Sequence, residues 1–135
     1  IEWMRAGGAA VAVERNADRR AMIAHNAATL GVPELIIIAG DALDALPDLA
    51  APDAVFVGGG LSRDTLLATC YDALAPGGRL VANAVTLEGE TALAVAYKNW
   101  GGSLTRVAVS AVRPVGRLHG WDPAMPVTQY AVTKS

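Results

Sequence analysis

The sequence carries a single cysteine, Cys70, so no internal disulfide framework is open to it, and with only two histidines it offers no Cys/His zinc spacing. Cys70 falls in a helical stretch, where a buried small hydrophobe is the expected role. No apolar run approaches the roughly 20 residues that span a bilayer, which removes a membrane-spanning helix. Positive charge is scarce as well: a formal net charge of −2 with scattered Lys and Arg gives no electrostatic footprint for nucleic acid. The short basic cluster Arg19-Arg20 is expected on a solvated helix face. Repeats, low-complexity tracts and interdomain linkers are missing too. What is abundant is apolar surface, 53% of 135 residues, which fits one globular core over residues 1–135.

Chemistry concentrates early. Val11-Ala12-Val13 is an apolar strand that closes on Glu14, and a second apolar run through Ile36-Ile37-Ile38 leads to Asp41. Between them Met22, Ile23, Ala27 and Leu30 recur at helical spacing before the stop Gly31, so the unit reads strand, crossover helix, strand. In an open parallel sheet ligands bind at the carboxyl ends of the strands. An acid there can accept from both hydroxyls of a ribose, and a second acid one strand over can face an exocyclic amine, which outlines an adenosine site.

Alternation of strand and helix continues. Residues 54–57 form a short strand ended by Gly58-Gly59-Gly60; residues 61–74 are expected as a helix with Ser62 as its N-cap, stopped by Ala75-Pro76-Gly77-Gly78. Strands follow at 79–85, 105–112 and 127–132, with a helix at 88–100. Too few residues separate the last two strands for a helix, so they should pair antiparallel around an irregular loop at 113–126. At the other end, Ile1-Glu2-Trp3-Met4-Arg5 has helical composition without a cap, as if a first strand and its glycine-rich turn were missing upstream.

This order resembles a class I S-adenosylmethionine-dependent methyltransferase, an α/β Rossmann-like fold with an antiparallel last strand, lacking its first strand and glycine-rich loop. The residues that carry the resemblance are VAVERN at 11–16, AGDA at 39–42, VFVGGG at 55–60 and LAPGGRLV at 74–81. A narrower one rests on VANAVTLEGET at 81–91 and PVGRLHGWDP at 114–123. Both are similar to segments of the precorrin methyltransferases of cobalamin synthesis that methylate carbon 15 and decarboxylate the macrocycle.

The resemblance implies S-adenosylmethionine as cofactor, a tetrapyrrole precorrin as substrate and a cytoplasmic enzyme without nucleic-acid or membrane partners. A homo-oligomer and fusion to an upstream methyltransferase domain stay open. On the cofactor side it implies Glu14 at the ribose, Arg15 along the adenine, Asp41 and the Ala42 amide at the adenine edge, and Gly40 and Gly58 giving close access. On the acceptor side it implies Gly59, Asn83 and Glu88 lining the cavity, and Arg113, Arg117, His119 and Trp121 contacting a flat, carboxylate-rich ligand. Asp41 has a rival role as the N-cap of a short helix at 43–46, and Glu88 as an acid opening its helix, where the dipole favours it. Methyl transfer to an electron-rich carbon needs alignment and a dry pocket more than a strong base, so the lack of an obvious nucleophile–base pair is no objection.

Other classes fit less well. A nicotinamide-dependent dehydrogenase would want a tyrosine and a lysine at helical spacing, whereas Tyr97 and Lys98 are adjacent. A methyltransferase acting on RNA or protein, or a noncatalytic nucleotide-binding module of the same fold, are the alternatives.

Overall fold

Three small apolar residues ahead of Glu14 form strand β1 (Val11–Glu14), and the triple isoleucine forms β2 (Ile36–Ala39). They pair in parallel, Val11 opposite Ile36 and Glu14 opposite Ala39. The crossover between them is helix α2 (Ala17–Thr29). Its start is fixed by Asn16, whose side chain accepts from Arg19 N. It stops because Gly31 takes the left-handed conformation (φ +79°), letting Val32 N donate to Ala27 O and Gly31 N to Ala28 O. Val32 and Ala27, brought together by this motif, are both buried.

The coordinates, a computed structural model, describe residues 1–61, 63 and 65–135, which divide into two compact units, Ile1–Leu49 and Ala50–Ser135. The first unit also holds α1 (Glu2–Arg5) and α3 (Ala42–Ala45), the latter running into a 3-10 turn at Leu46–Asp48. Two expectations change here. The strands, which their apolar runs predict to be buried, are half-buried, with Val11 and Ile36 exposed, because a two-stranded ribbon has too few neighbours to cover both faces. Met22 and Leu30 are also exposed; the inward face of α2 runs instead through Arg20, Ile23 and Ala27.

In the second unit, β3 (Ala54–Val57), α4 (Leu66–Ala73), β4 (Arg79–Ala84), α5 (Leu87–Trp100), β5 (Ser103–Val107), β6 (Ser110–Val115), β7 (Leu118–Pro123) and β8 (Val127–Thr133) follow in chain order. Four of these strands form a sheet in the order β3-β4-β8-β5. β3 and β4 are parallel, whereas β8 inserts antiparallel between β4 and β5, as expected for the last strand. The core lies on one face of this sheet. Leu80, Ala82 and Ala84 of β4 and Thr128, Tyr130 and Val132 of β8 are buried with Leu93 and Ala96 of α5 and Leu66, Leu67 and Cys70 of α4. Tyr130 is fully buried, and its hydroxyl donates to Gly101 O at 3.0 Å and Ala96 O at 3.3 Å, so its polar end is satisfied inside the core.

Two boundaries move. The helix expected at 61–74 begins at Leu66; ahead of it Arg63 N donates to Gly60 O and Leu66 N to Arg63 O, bonds of i→i+3 span in place of helical ones. The expected N-cap Ser62 lies outside the described residues. The segment 113–126 is not an irregular loop: β6 and β7 form a hairpin, with Val115 opposite Leu118 across the two-residue turn Gly116-Arg117. Gly116, at φ +61°, supplies the positive first position that a tight hairpin turn of this kind needs. The strand expected at 105–112 is correspondingly split between β5 and β6.

Candidate functional site

Glu14 is the last residue of β1, and Asp41 follows the end of the neighbouring β2 by two residues, so both acids stand at the carboxyl ends of adjacent parallel strands. The Glu14 side chain is only 21% exposed, which separates it from an ordinary surface acid. Its Oε1 accepts from Asn16 N at 2.8 Å, and Oε2 lies 3.9 Å from Arg19 Nη1. Arg20 reaches back from α2 to donate to Glu14 O and Arg15 O, which pins the β1–α2 turn; it is not the solvated residue that its place in a basic pair suggested. Arg15 itself is exposed.

Asp41 takes the role of helix cap, its Oδ1 accepting from Leu43 N at 3.0 Å at the head of α3, whose first residue is Ala42. A side chain at Gly40 would meet no atom within 4 Å, so the backbone before the cap is open to close approach.

In the second unit the three glycines after β3 line a cavity of about 200 Å³ with Leu61, Asn83, Thr86 and Gly89. Gly59 faces open space, and Gly89 lies so close to β4 that an added Cβ would stand 2.9 Å from Ala84 Cβ. This helix–strand approach shapes the floor of the cavity. Asn83 is held from β8, where Gln129 Nε2 donates to its Oδ1 at 3.0 Å. Glu88 is exposed in the first turn of α5, next to the cap made when Thr86 Oγ1 accepts from Gly89 N; the cavity lining includes Gly89 and not Glu88.

The hairpin sorts the remaining residues by strand alternation. Val112 pairs with Trp121 and Pro114 with His119 on one face, while Arg113, opposite Gly120, shares the other with Asp122, whose carboxylate lies 3.6 Å from Arg113 Nε. Trp121 is 75% exposed. Arg117 occupies the turn. His119 and Trp121 are thus brought together, and Arg113 is turned away from them.

Sequence reasoning missed a polar cluster that joins β5 and β8 of the four-stranded sheet to α5. Arg106 Nη2 lies 2.6 Å from Glu90 Oε2, Thr128 Oγ1 donates to Glu90 Oε1 at 2.7 Å, and Arg106 Nε donates to Thr128 Oγ1 at 3.2 Å. Among the described residues no group of three or more His, Cys, Asp or Glu could hold a metal ion, and no helix is long and apolar enough to cross a membrane. Cys70 is buried and free, and burial pushes its thiol up to about 11, so it is no nucleophile.

Residues 1–134 match the precorrin methyltransferase domain family. Among curated proteins, the precorrin-6Y C(5,15)-methyltransferase [decarboxylating] of Mycobacterium tuberculosis is 48% identical over 99% of this chain, which covers 34% of that protein. Among solved structures, the C-terminal domain of precorrin-6Y C5,15-methyltransferase from Rhodobacter capsulatus superposes with a TM-score of 0.89 at 42% identity, covering 98% of this chain and 72% of that one. The corresponding domain from Corynebacterium diphtheriae, described as a putative precorrin-6Y C5,15-methyltransferase, gives 0.88 at 39% identity, covering 99% and 81%. The chain therefore spans about a third of the length of the curated relatives it matches.

Proposed function

We propose that this chain, which belongs to the precorrin methyltransferase domain family, forms one methyltransferase domain that methylates carbon 15 of precorrin-6B and decarboxylates it to precorrin-7, in the cytoplasm, with S-adenosylmethionine as methyl donor. The observation that carries the reading is Glu14: a half-buried carboxylate at the carboxyl end of a parallel strand, in a turn held by Asn16 and Arg20. That is where an acid can accept from both hydroxyls of a ribose. Bound there, S-adenosylmethionine supplies an electrophilic methyl group on a sulfonium.

The chain's own residues do the positioning. Asp41 and the Ala42 amide meet the adenine edge, Arg15 lies along the ring, and the unobstructed backbone at Gly40 admits close contact. On the acceptor side Gly59 and Asn83 border the cavity, and the hairpin supplies Arg117 for a carboxylate arm and the His119–Trp121 face for the macrocycle; Glu88, outside the cavity lining, and Arg113, paired with Asp122 on the opposite face, take no part in this arrangement. In the methylation, the ring carbon would take the methyl group with an electron pair of the macrocycle, the sulfur would leave as a neutral thioether, and the macrocycle would release one proton. In the decarboxylation, an acetate arm loses carbon dioxide, the electron pair of the broken bond enters the conjugated macrocycle, and a proton is taken up at carbon; His119 is assigned to carry it.

The test is mass spectrometry of the intact protein incubated with S-adenosylmethionine and precorrin-6B. A product that has gained one methyl group and lost one carbon dioxide is expected. Methylation without loss of carbon dioxide, or no product beside intact cofactor binding, would overturn the assignment.

A further inference from the structure

A second cavity, of about 550 Å³, opens on the other side of the first turn of α5. Thr86 and Gly89 border the glycine cavity, whereas Leu87 and Glu90 border this one. The register explains the adjacency: Thr128 sits between Ala84 of β4 and Arg106 of β5, so the Arg106–Glu90–Thr128 cluster lies one strand away from the glycine cavity. Leu87, Ala94 and Leu104 give the second cavity apolar walls, and Leu87 is 78% exposed.

Within the cluster the guanidinium is the outward partner, its side chain 60% exposed against 24% for Glu90. An approaching anion meets the cation first. Nε and Nη2 of Arg106 are bound to Thr128 and Glu90, which fixes the plane of the fork and leaves Nη1 without a partner among the described residues. A held arginine loses less side-chain freedom on gripping a ligand than a mobile one. Apolar walls around one fixed donor suit an aliphatic arm that ends in a carboxylate.

We propose that this cavity is a carboxylate subsite that takes one peripheral acetate or propionate arm of the tetrapyrrole, with Arg106 as its donor and Glu90 and Thr128 as positioning residues. The proposal rests on the tetrapyrrole reading above and adds residues that carry the acceptor. Uroporphyrin, whose side arms all end in carboxylates, serves as the probe; its fluorescence quenching by the intact protein gives the affinity. Arg106→Gln should weaken that affinity about tenfold, the loss of one charge-assisted contact. Glu90→Gln keeps a carbonyl to accept from Thr128 but removes the neutralising charge, so it should tighten binding about two- to fivefold. Arg106→Lys should recover part of the loss, and S-adenosylhomocysteine affinity by calorimetry should be unchanged in all three.

A purely structural staple would instead move both Gln variants the same way, in melting temperature and in probe affinity. That outcome, or wild-type affinity in Arg106→Gln, overturns the subsite. If the wild-type protein failed to methylate precorrin-6B while the probe affinities still split in opposite directions, the reaction assignment would fall and the carboxylate subsite would stand.

Discussion

Replacing Gly89 with alanine sets two effects of opposite sign against each other at the floor of the glycine cavity. Gly89 lies inside α5 with an unexceptional φ, so helix propensity alone favours alanine by up to about 1 kcal/mol. Against this, the new methyl would stand 2.9 Å from Ala84 Cβ, 3.3 Å from Thr86 Oγ1 and 3.7 Å from Leu61 Cβ. Carbon atoms rest about 3.5–4.0 Å apart, and Ala84 Cβ is bonded directly to the backbone of β4, so no rotamer change can relieve the contact. Helix and strand must separate by somewhat under 1 Å, and such overpacking costs about 1–3 kcal/mol. With Ala84 Cβ unable to move aside the cost lies in the upper part of that range, about 2–3 kcal/mol, so the contact wins, leaving a net loss of about 1–2 kcal/mol and a fall in melting temperature of about 4–8 °C for a domain of this size. Calorimetric melting of the intact protein is the assay, and Gly59→Ala is the control. Gly59 has ordinary φ and nothing within 4 Å of its would-be Cβ, so its substitution should stay within about 0.5 kcal/mol. A Gly89→Ala protein as stable as the parent, or a Gly59→Ala protein equally destabilised, would refute the close-approach argument.

Three further outcomes are expected. Glu14→Ala should weaken S-adenosylhomocysteine binding roughly ten- to a hundredfold by calorimetry, the loss of a charge-assisted contact of about 1.5–3 kcal/mol; unchanged affinity would return Glu14 to a local role with Asn16. Arg117→Ala, at the second position of the hairpin turn, should reduce methyl transfer to the tetrapyrrole while leaving the fold and cofactor affinity intact; equal loss of both binding activities in a folded protein would remove the hairpin from the acceptor site. Alkaline stability should fall between about pH 9 and pH 11, because the unfolded Cys70 thiol ionises there while the folded one, pushed up to about 11 by burial, stays protonated. The full stabilisation, about 3 kcal/mol at most, is present below pH 9, and Tyr130, raised first by burial and then by the charge of Tyr71, acts in the same sense. Cys70→Ala should flatten this slope in urea melts at successive pH values, and an unaltered slope would assign it elsewhere.

What could be read from the sequence is what neighbours in the chain decide. The crossover β1–α2–β2 follows from two apolar runs, a helical spacing between them and a stop at Gly31, each acting within a few residues, and the cofactor-side acids fall at the strand ends for the same reason. The start of α4 differs because Ser62, a good capping residue, precedes the helical series Leu66, Leu67 and Cys70, while the backbone bonds from Arg63 N to Gly60 O and from Leu66 N to Arg63 O are those of tight turns. At the hairpin, the short separation of the last two strands excludes a helix but does not reveal a further strand pair; the two-stranded ribbon tolerates Pro114 and Pro123 because each of its strands has an edge with no ladder to break.

The acceptor side is of another kind. Asn83 meets Gln129, and Arg106 meets Thr128 and Glu90, only because β8 enters the sheet between β4 and β5 with one particular register. A slip of one residue in that strand would turn Thr128 to the opposite face and undo the cluster. The pattern of residues 127–133 announces a strand but not its partners, so the carboxylate subsite rests on a pairing that the sequence does not declare, whereas Glu14 needs only the strand in which it sits.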